Sequence, residues 1–128
     1  MRALTEVDLP EGLTLERLHA ALRAADARFA YLHGSRVQGT QGPRSDLDVA
    51  AWFGRPVGAW EVALPASCDL LVLDTAGAEL AGRVAHSGVV LLDDDPPSRV
   101  AWQADHAKRY LDEAHRRREL VRTVLHRG

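Results

Sequence analysis

The sequence predicts an α/β (α+β) fold: a small mixed sheet of about four strands, flanked by helices and closed by a long C-terminal helix. Three observations predict it. Apolar runs of strand length lie at 28–33, 46–53, 67–73 and 89–92, separated by turn or helix signals. Leu15, Leu18, Leu22 and Ala25 recur at helical spacing ahead of the first run. Beyond Pro96-Pro97 the chain runs from Ser98 to Arg127 without a glycine or proline.

In chain order, Pro10-Glu11-Gly12 is a turn, and Thr14 to Ala27 reads as an amphipathic first helix. The first strand, Arg28 to His33, ends at Gly34. Ser35 to Thr40 forms a short helix that Gln41-Gly42-Pro43 breaks, and the second strand is Asp46 to Phe53. Residues 54–66 are compatible with either a helix or a loop. The third strand is Ser67 to Leu73. Asp74 or Thr75 caps a helix reaching about His86, which Gly88 ends. Val89 to Leu92 is the fourth strand, and Pro96-Pro97 opens the last helix. On it, Val100, Ala104, Ala107, Leu111, Ala114, Val121 and Leu125 follow alternating steps of four and three, with Arg118 the one polar interruption. Such a helix spans about 45 Å, more than a domain of this size needs. Its first half is expected on the sheet, and its second half either solvated or docked on a partner.

A chain of 128 residues supports one domain with a modest single core. Hydrophobic content of 46% and charged content of 27% are those of an ordinary soluble protein. No apolar run approaches the roughly 18 residues of a membrane span, and the N-terminus has no signal-peptide core. The single Cys68 allows no internal disulfide, which fits a reducing cytoplasm. The net charge of −2 argues against direct nucleic-acid binding. The charge is unevenly spread: residues 1–95 carry 14 acids and 8 bases, residues 96–128 carry 4 acids and 8 bases.

The chemistry concentrates between Gly34 and Asp48, where a Gly-Ser turn is followed, ten residues later, by Asp46-x-Asp48. A turn opening a short helix offers backbone N–H groups to a phosphate. Alternate residues of a strand share a face, so Asp46, Asp48, Ala50 and Trp52 point one way and Leu47, Val49, Ala51 and Phe53 the other. In the third strand Asp69, Leu71 and Leu73 share a face, so a neighbouring pair of strands assembles Asp46, Asp48 and Asp69 into one site. Three clustered carboxylates repel one another without a cation; Mg2+, with phosphates completing its shell, resolves that conflict. Asp46 and Asp48 are expected to hold a metal bridging nucleotide phosphates. The expected phosphate-binding set is Gly34, Ser35, Arg36 and Ser45, with Arg44 near the site.

Plainer roles compete with these. Asp and Ser favour turns, so Asp46-x-Asp48 beside Gly42-Pro43 is also turn chemistry; Asp69, set among Cys68, Leu70 and Leu71 and expected to need a partner there, tips the balance. Asp93-Asp94-Asp95 reads as a solvated loop, with ligand contact its weaker alternative, and His33 as a strand-end packing residue, with approach to the nucleotide from beside the turn its weaker alternative. The six histidines show no metal-ligand spacing. Gly34 to Thr40 lacks the lysine of a P-loop, and His33-Gly34-Ser35 lacks the G-x-S-x-G elbow of serine hydrolases.

With these residues in place, YLHGSRVQGTQGPRSDLDVAAWF followed by CDLLVLD resembles the polymerase-β-type nucleotidyltransferases, most of all the minimal nucleotidyltransferases of prokaryotes. The likeness covers most of residues 14–128 and carries Gly34, Ser35, Asp46, Asp48 and Asp69. It implies a polymerase-β-like core, a single domain over 1–128, ATP as substrate, and Asp69 helping to hold a second metal and activating an acceptor hydroxyl. The usual helix after the second strand is not evident in residues 54–66. Such minimal enzymes are typically antitoxins paired with HEPN-type ribonuclease toxins. The resemblance therefore implies AMP transfer from ATP to a hydroxyl, tyrosine in the family, of a HEPN-type toxin held in a hetero-oligomer. A small-molecule adenylyltransferase, of the kind acting on aminoglycosides, is a weaker alternative because only one helix follows the sheet. The other alternative is an antitoxin that neutralises by contact alone, which has no need of three carboxylates.

Overall fold

The structure, a computed structural model, describes residues 3–42 and 45–126. Four α-helices and four strands follow one another along it: α1 (Leu15–Ala24), β1 (Phe29–His33), α2 (Ser35–Gln38), β2 (Leu47–Trp52), β3 (Cys68–Val72), α3 (Ala78–Ser87), β4 (Val89–Asp93) and α4 (Pro96–His126). Thr14 caps α1, its Oγ1 accepting the Arg17 N–H at 3.2 Å. The sheet order is β3-β2-β1-β4. β1 pairs antiparallel with β2 and β4, and β2 pairs parallel with β3, so the sheet is mixed.

The period-2 alternation of the strands builds two cores. One face carries Ala30, Leu32, Leu47, Val49 and Ala51 against Leu18 and Leu22 of α1. The other carries Phe29, Tyr31 and Ala50 against Val84 of α3, with Trp52 and Trp102 closing over them. Phe29 stacks on Trp52 with ring centroids 5.1 Å apart. Tyr31 donates its hydroxyl to Gln103 Oε1 at 2.9 Å, and its burial pushes its pKa up to about 12.

Several elements depart from the sequence expectation. Residues 54–66 form neither a long helix nor a bare loop: a single 3-10 turn, Ala59–Glu61, interrupts a crossover that buries Val57 and Val62 on the α1 face. Asp74 caps no helix. Its carboxylate accepts the N–H groups of Phe53 (3.0 Å) and Gly54 (2.8 Å), clamping the ends of β2 and β3 together, and α3 starts later, after Gly77.

The acidic run is solvent-exposed at Asp93 and Asp94, as expected, but its carboxylates are paired. Asp93 pairs with Arg99 (3.0 Å), Asp94 with Arg23 (2.9 Å) and Asp95 with Arg28 (3.0 Å). Asp95 Oδ1 also accepts the Ser98 N–H, capping α4. On α4 the packed side chains are Trp102, His106 and Tyr110, not Val100, which is 54% exposed. The helix is rotated from the four-three stripe because its large aromatics, not its small aliphatics, fill the space above β1. Gly82 lets α4 close on α3: a Cβ there would fall 2.7 Å from Tyr110 Cβ.

Candidate active site

β1 and β2 deliver the site together. β1 ends at His33, directly opposite Asp48. Gly34 then turns the chain with φ +82°, in the left-handed region that favours glycine. A Cβ at Gly34 would strike the Asp48 carboxylate. The glycine is thus required by Asp48 as well as by the turn. α2 follows, its first ladder bond running from Gln38 N–H to Gly34 O at 3.1 Å. The N–H groups of a first helical turn lack intrahelical acceptors, and this turn opens at Ser35, directly after the glycine that abuts Asp48. Gly39, left-handed, ends the helix.

β2 and β3 are neighbours in parallel register, with Asp48 opposite Asp69. Leu47, Val49 and Ala51 are buried toward α1, so Asp48 stands on the opposite face, and Asp46 precedes it by two residues. The Asp48 carboxyl is held above its ordinary range, first by burial and then by the charges of Asp69 and Asp46; His33 opposes the rise. Carboxylates that feel one another in this way form a hard-oxygen donor set suited to a cation such as Mg2+. Among the described residues, however, no three His, Cys, Asp or Glu side chains form a ready cluster for a metal ion. The carboxylates line up along two strands, a layout that substrate oxygens would have to complete.

Two residues expected on the phosphates do something else. Arg36 is buried, at 6% exposure. Its Nε and one terminal nitrogen donate to Ser45 O at 2.9 and 2.7 Å, and its other terminal nitrogen donates to Asp8 O at 2.9 Å. Ser45 Oγ accepts the Gly42 N–H at 2.9 Å. Arg36 and Ser45 therefore brace the loop ahead of Asp46 and tie it to the N-terminal segment. Arg44 and Pro43 lie outside the described residues. Asp69 is not buried among apolar neighbours as expected but exposed, because β3 is the edge of the sheet. A cleft of about 560 Å³ beside Asp46 is bounded by Asp8, Glu11, Gln41 and Ser67.

Packing at the strand end is the first expectation for His33, with approach to the nucleotide the second. His33 faces Asp48 across the strand pair, its Nε2 is buried without a partner, and burial lowers its pKa. The only signal for this was its position next to Gly34.

Residues 16–97 match the family described as Polymerase beta, Nucleotidyltransferase. The chain belongs to this nucleotidyltransferase family. Gly34, Ser35, Asp46, Asp48 and Asp69 all fall within the matched span. No curated protein matches the chain in sequence. Solved structures share the fold. A toxin–antitoxin crystal structure with AMP-PNP contains a chain 24% identical, with a TM-score of 0.69, covering 88% of this chain and 99% of that one. A complex of a tri-AMPylated Shewanella oneidensis HEPN toxin with an MNT antitoxin gives 20% identity and a TM-score of 0.62, over 87% and 95% of the two chains. An MntA–HepT toxin–antitoxin complex gives 18% identity, a TM-score of 0.61, and coverage of 87% and 96%.

Proposed function

We propose that this nucleotidyltransferase is an antitoxin that transfers AMP from ATP to a tyrosine hydroxyl on a HEPN-type toxin. The observation that carries the reading is the register of Asp48 against Asp69, beside a glycine turn that a side chain would close. The structural neighbours support the acceptor, since one is described with a tri-AMPylated HEPN toxin and another with AMP-PNP.

In this reading the N–H groups after Gly34, with Ser35, bind the β- and γ-phosphates. Asp46, Asp48 and Asp69 would hold Mg2+, which supplies charge neutralisation for the nucleotide phosphates and the departing pyrophosphate. Asp69, the most exposed of the row's strand residues, accepts the proton of the incoming hydroxyl. The hydroxyl oxygen bonds to the α-phosphorus as the bond from that phosphorus to pyrophosphate breaks, leaving AMP on the acceptor. His33 and the buried Arg36 hold the turn and the loop that present these groups. No helix among the described residues is long and apolar enough to cross a membrane, and the lone Cys68 suits a cytoplasmic setting.

α4 fits the partner. Its second half exposes Leu120, Val121, Val124 and Leu125 at 57–73%, on the side that carries Trp102, His106 and Tyr110 farther back. An apolar face continued beyond its own domain is a surface for another helix. This observation also favours the contact-only antitoxin as a second reading. Incubating the chain with α-phosphate-labelled ATP, magnesium and its HEPN-type toxin separates the two. Label on the toxin supports transfer; suppression of the toxin without label supports contact alone.

A further inference from the structure

Next to Asp69 the sheet ends in an open, apolar edge. β3 is paired on one side only, and Leu70 and Leu71 are half-buried. The crossover from β2, anchored in the core by Val57 and Val62, turns back along this edge at Ala59–Glu61. There Trp60 is 89% exposed, the most exposed large hydrophobic residue described. Its indole touches its own turn at Gly58, where a Cβ would fall 2.5 Å from the ring, and otherwise projects into solvent. Glu61 fixes the turn by accepting the Gly58 N–H at 2.9 Å. Between Trp60 and β3 runs a groove of about 620 Å³, walled by Pro56, Leu70, Leu71 and Ala76, with Glu61 its one charged residue.

We propose that this groove docks the acceptor: an extended, largely uncharged segment of the partner protein lies along the open edge of β3, packs on Trp60 and presents its hydroxyl to Asp69. The proposal rests on the nucleotidyl-transfer reading above. Three features select this occupant. The groove starts on β3 one residue beyond the site: Leu70, its first lining residue on that strand, directly follows Asp69. A strand rises about 3.3 Å per residue, so a segment gripped opposite Leu71 places a side chain two residues along, about 7 Å away, level with Asp69. A strand edge pairs with extended backbone rather than with a helix. The sheet's other edge, β4, lies two strands away from the carboxylates' pair and cannot serve. An exposed tryptophan is also the kind of side chain that carries binding energy at an interface.

The test compares Trp60→Ala and Trp60→Phe with the wild type, using the HEPN-type toxin as acceptor. We expect Trp60→Ala to raise the acceptor KM by about tenfold or more, with kcat, ATP affinity and thermal midpoint unchanged, and Trp60→Phe to restore most of the loss. An unchanged acceptor KM in Trp60→Ala overturns the groove while leaving the transfer reading intact. So does a shift of Trp60→Ala from dimer to monomer with KM unchanged, which would make the edge a contact between copies. A wild type that labels nothing overturns the transfer reading, and this proposal with it.

Discussion

Arg36 shows how a residue chosen for one role by its position serves another. Placed directly after Gly34-Ser35, a cation suggests phosphate binding. Its guanidinium is instead buried and spent on the carbonyls of Ser45 and Asp8. A planar fork can satisfy two carbonyls at once, and a lysine cannot copy it. Arg36→Ala is therefore expected to destabilise the fold by about 1.5–3 kcal/mol, since it removes the charged donor of two part-buried hydrogen-bonded carbonyls. Denaturant unfolding checks this, and a variant that keeps full stability but loses ATP affinity would return Arg36 to the phosphates. Gly34 and Asp48 carry the opposite lesson. The sequence motif names both, but not the steric reason, which is that Asp48 occupies the volume a Gly34 side chain would need. The spacing of Asp46, Asp48 and Asp69 was legible because strand parity is local. The exposure of Asp69 was not, because which strand lies at an edge is a property of the assembled sheet.

Among the elements, the four strands and four helices were legible from periodicity and turn residues, with ends shifted by a few residues. The crossover of residues 54–66 was not, because its Val57 and Val62 are buried by tertiary packing on α1 rather than by any local period. The face of α4 was misjudged for a related reason. Small aliphatics at heptad spacing outlined one stripe, while Trp102, His106 and Tyr110 dictate another by filling the space above β1 and α3. The exposed end of α4 carries its own prediction. Leu120→Asp with Val124→Asp should leave the monomer's thermal midpoint nearly unchanged, as both residues are already exposed. The pair should weaken toxin binding by about tenfold or more. Calorimetric titration against the toxin measures it, and undiminished affinity would remove α4 from the interface.

For the molecule as a whole, two half-buried histidines set a pH dependence. Burial lowers the pKa of both His33 and His106, the latter's ring 4.6 Å from that of Trp102. The unfolded chain protonates these rings near pH 6.5, while the folded chain resists. Their contribution to stability is therefore present above about pH 6.5 and is lost as pH falls through the depressed folded values. The thermal midpoint is expected to drop between pH 7.5 and 5.5, and His106→Gln to reduce that drop. A midpoint that rises on acidification would contradict this. Asp48 contributes with the other sign. Its raised carboxyl makes the ionised form a burden on the metal-free fold, in keeping with a site arranged for a cation rather than for stability.

The central claim is that Asp46 and Asp48 serve nucleotidyl transfer to a protein hydroxyl. The most direct measurement follows label from α-phosphate-labelled ATP onto the HEPN-type toxin, comparing the wild type with Asp46→Ala/Asp48→Ala at matched thermal midpoints. Labelled toxin is expected with the wild type and at least about a thousandfold less with the double variant, the scale of losing phosphate-charge stabilisation. A double variant that is folded and still labels the toxin at the wild-type rate would contradict the claim.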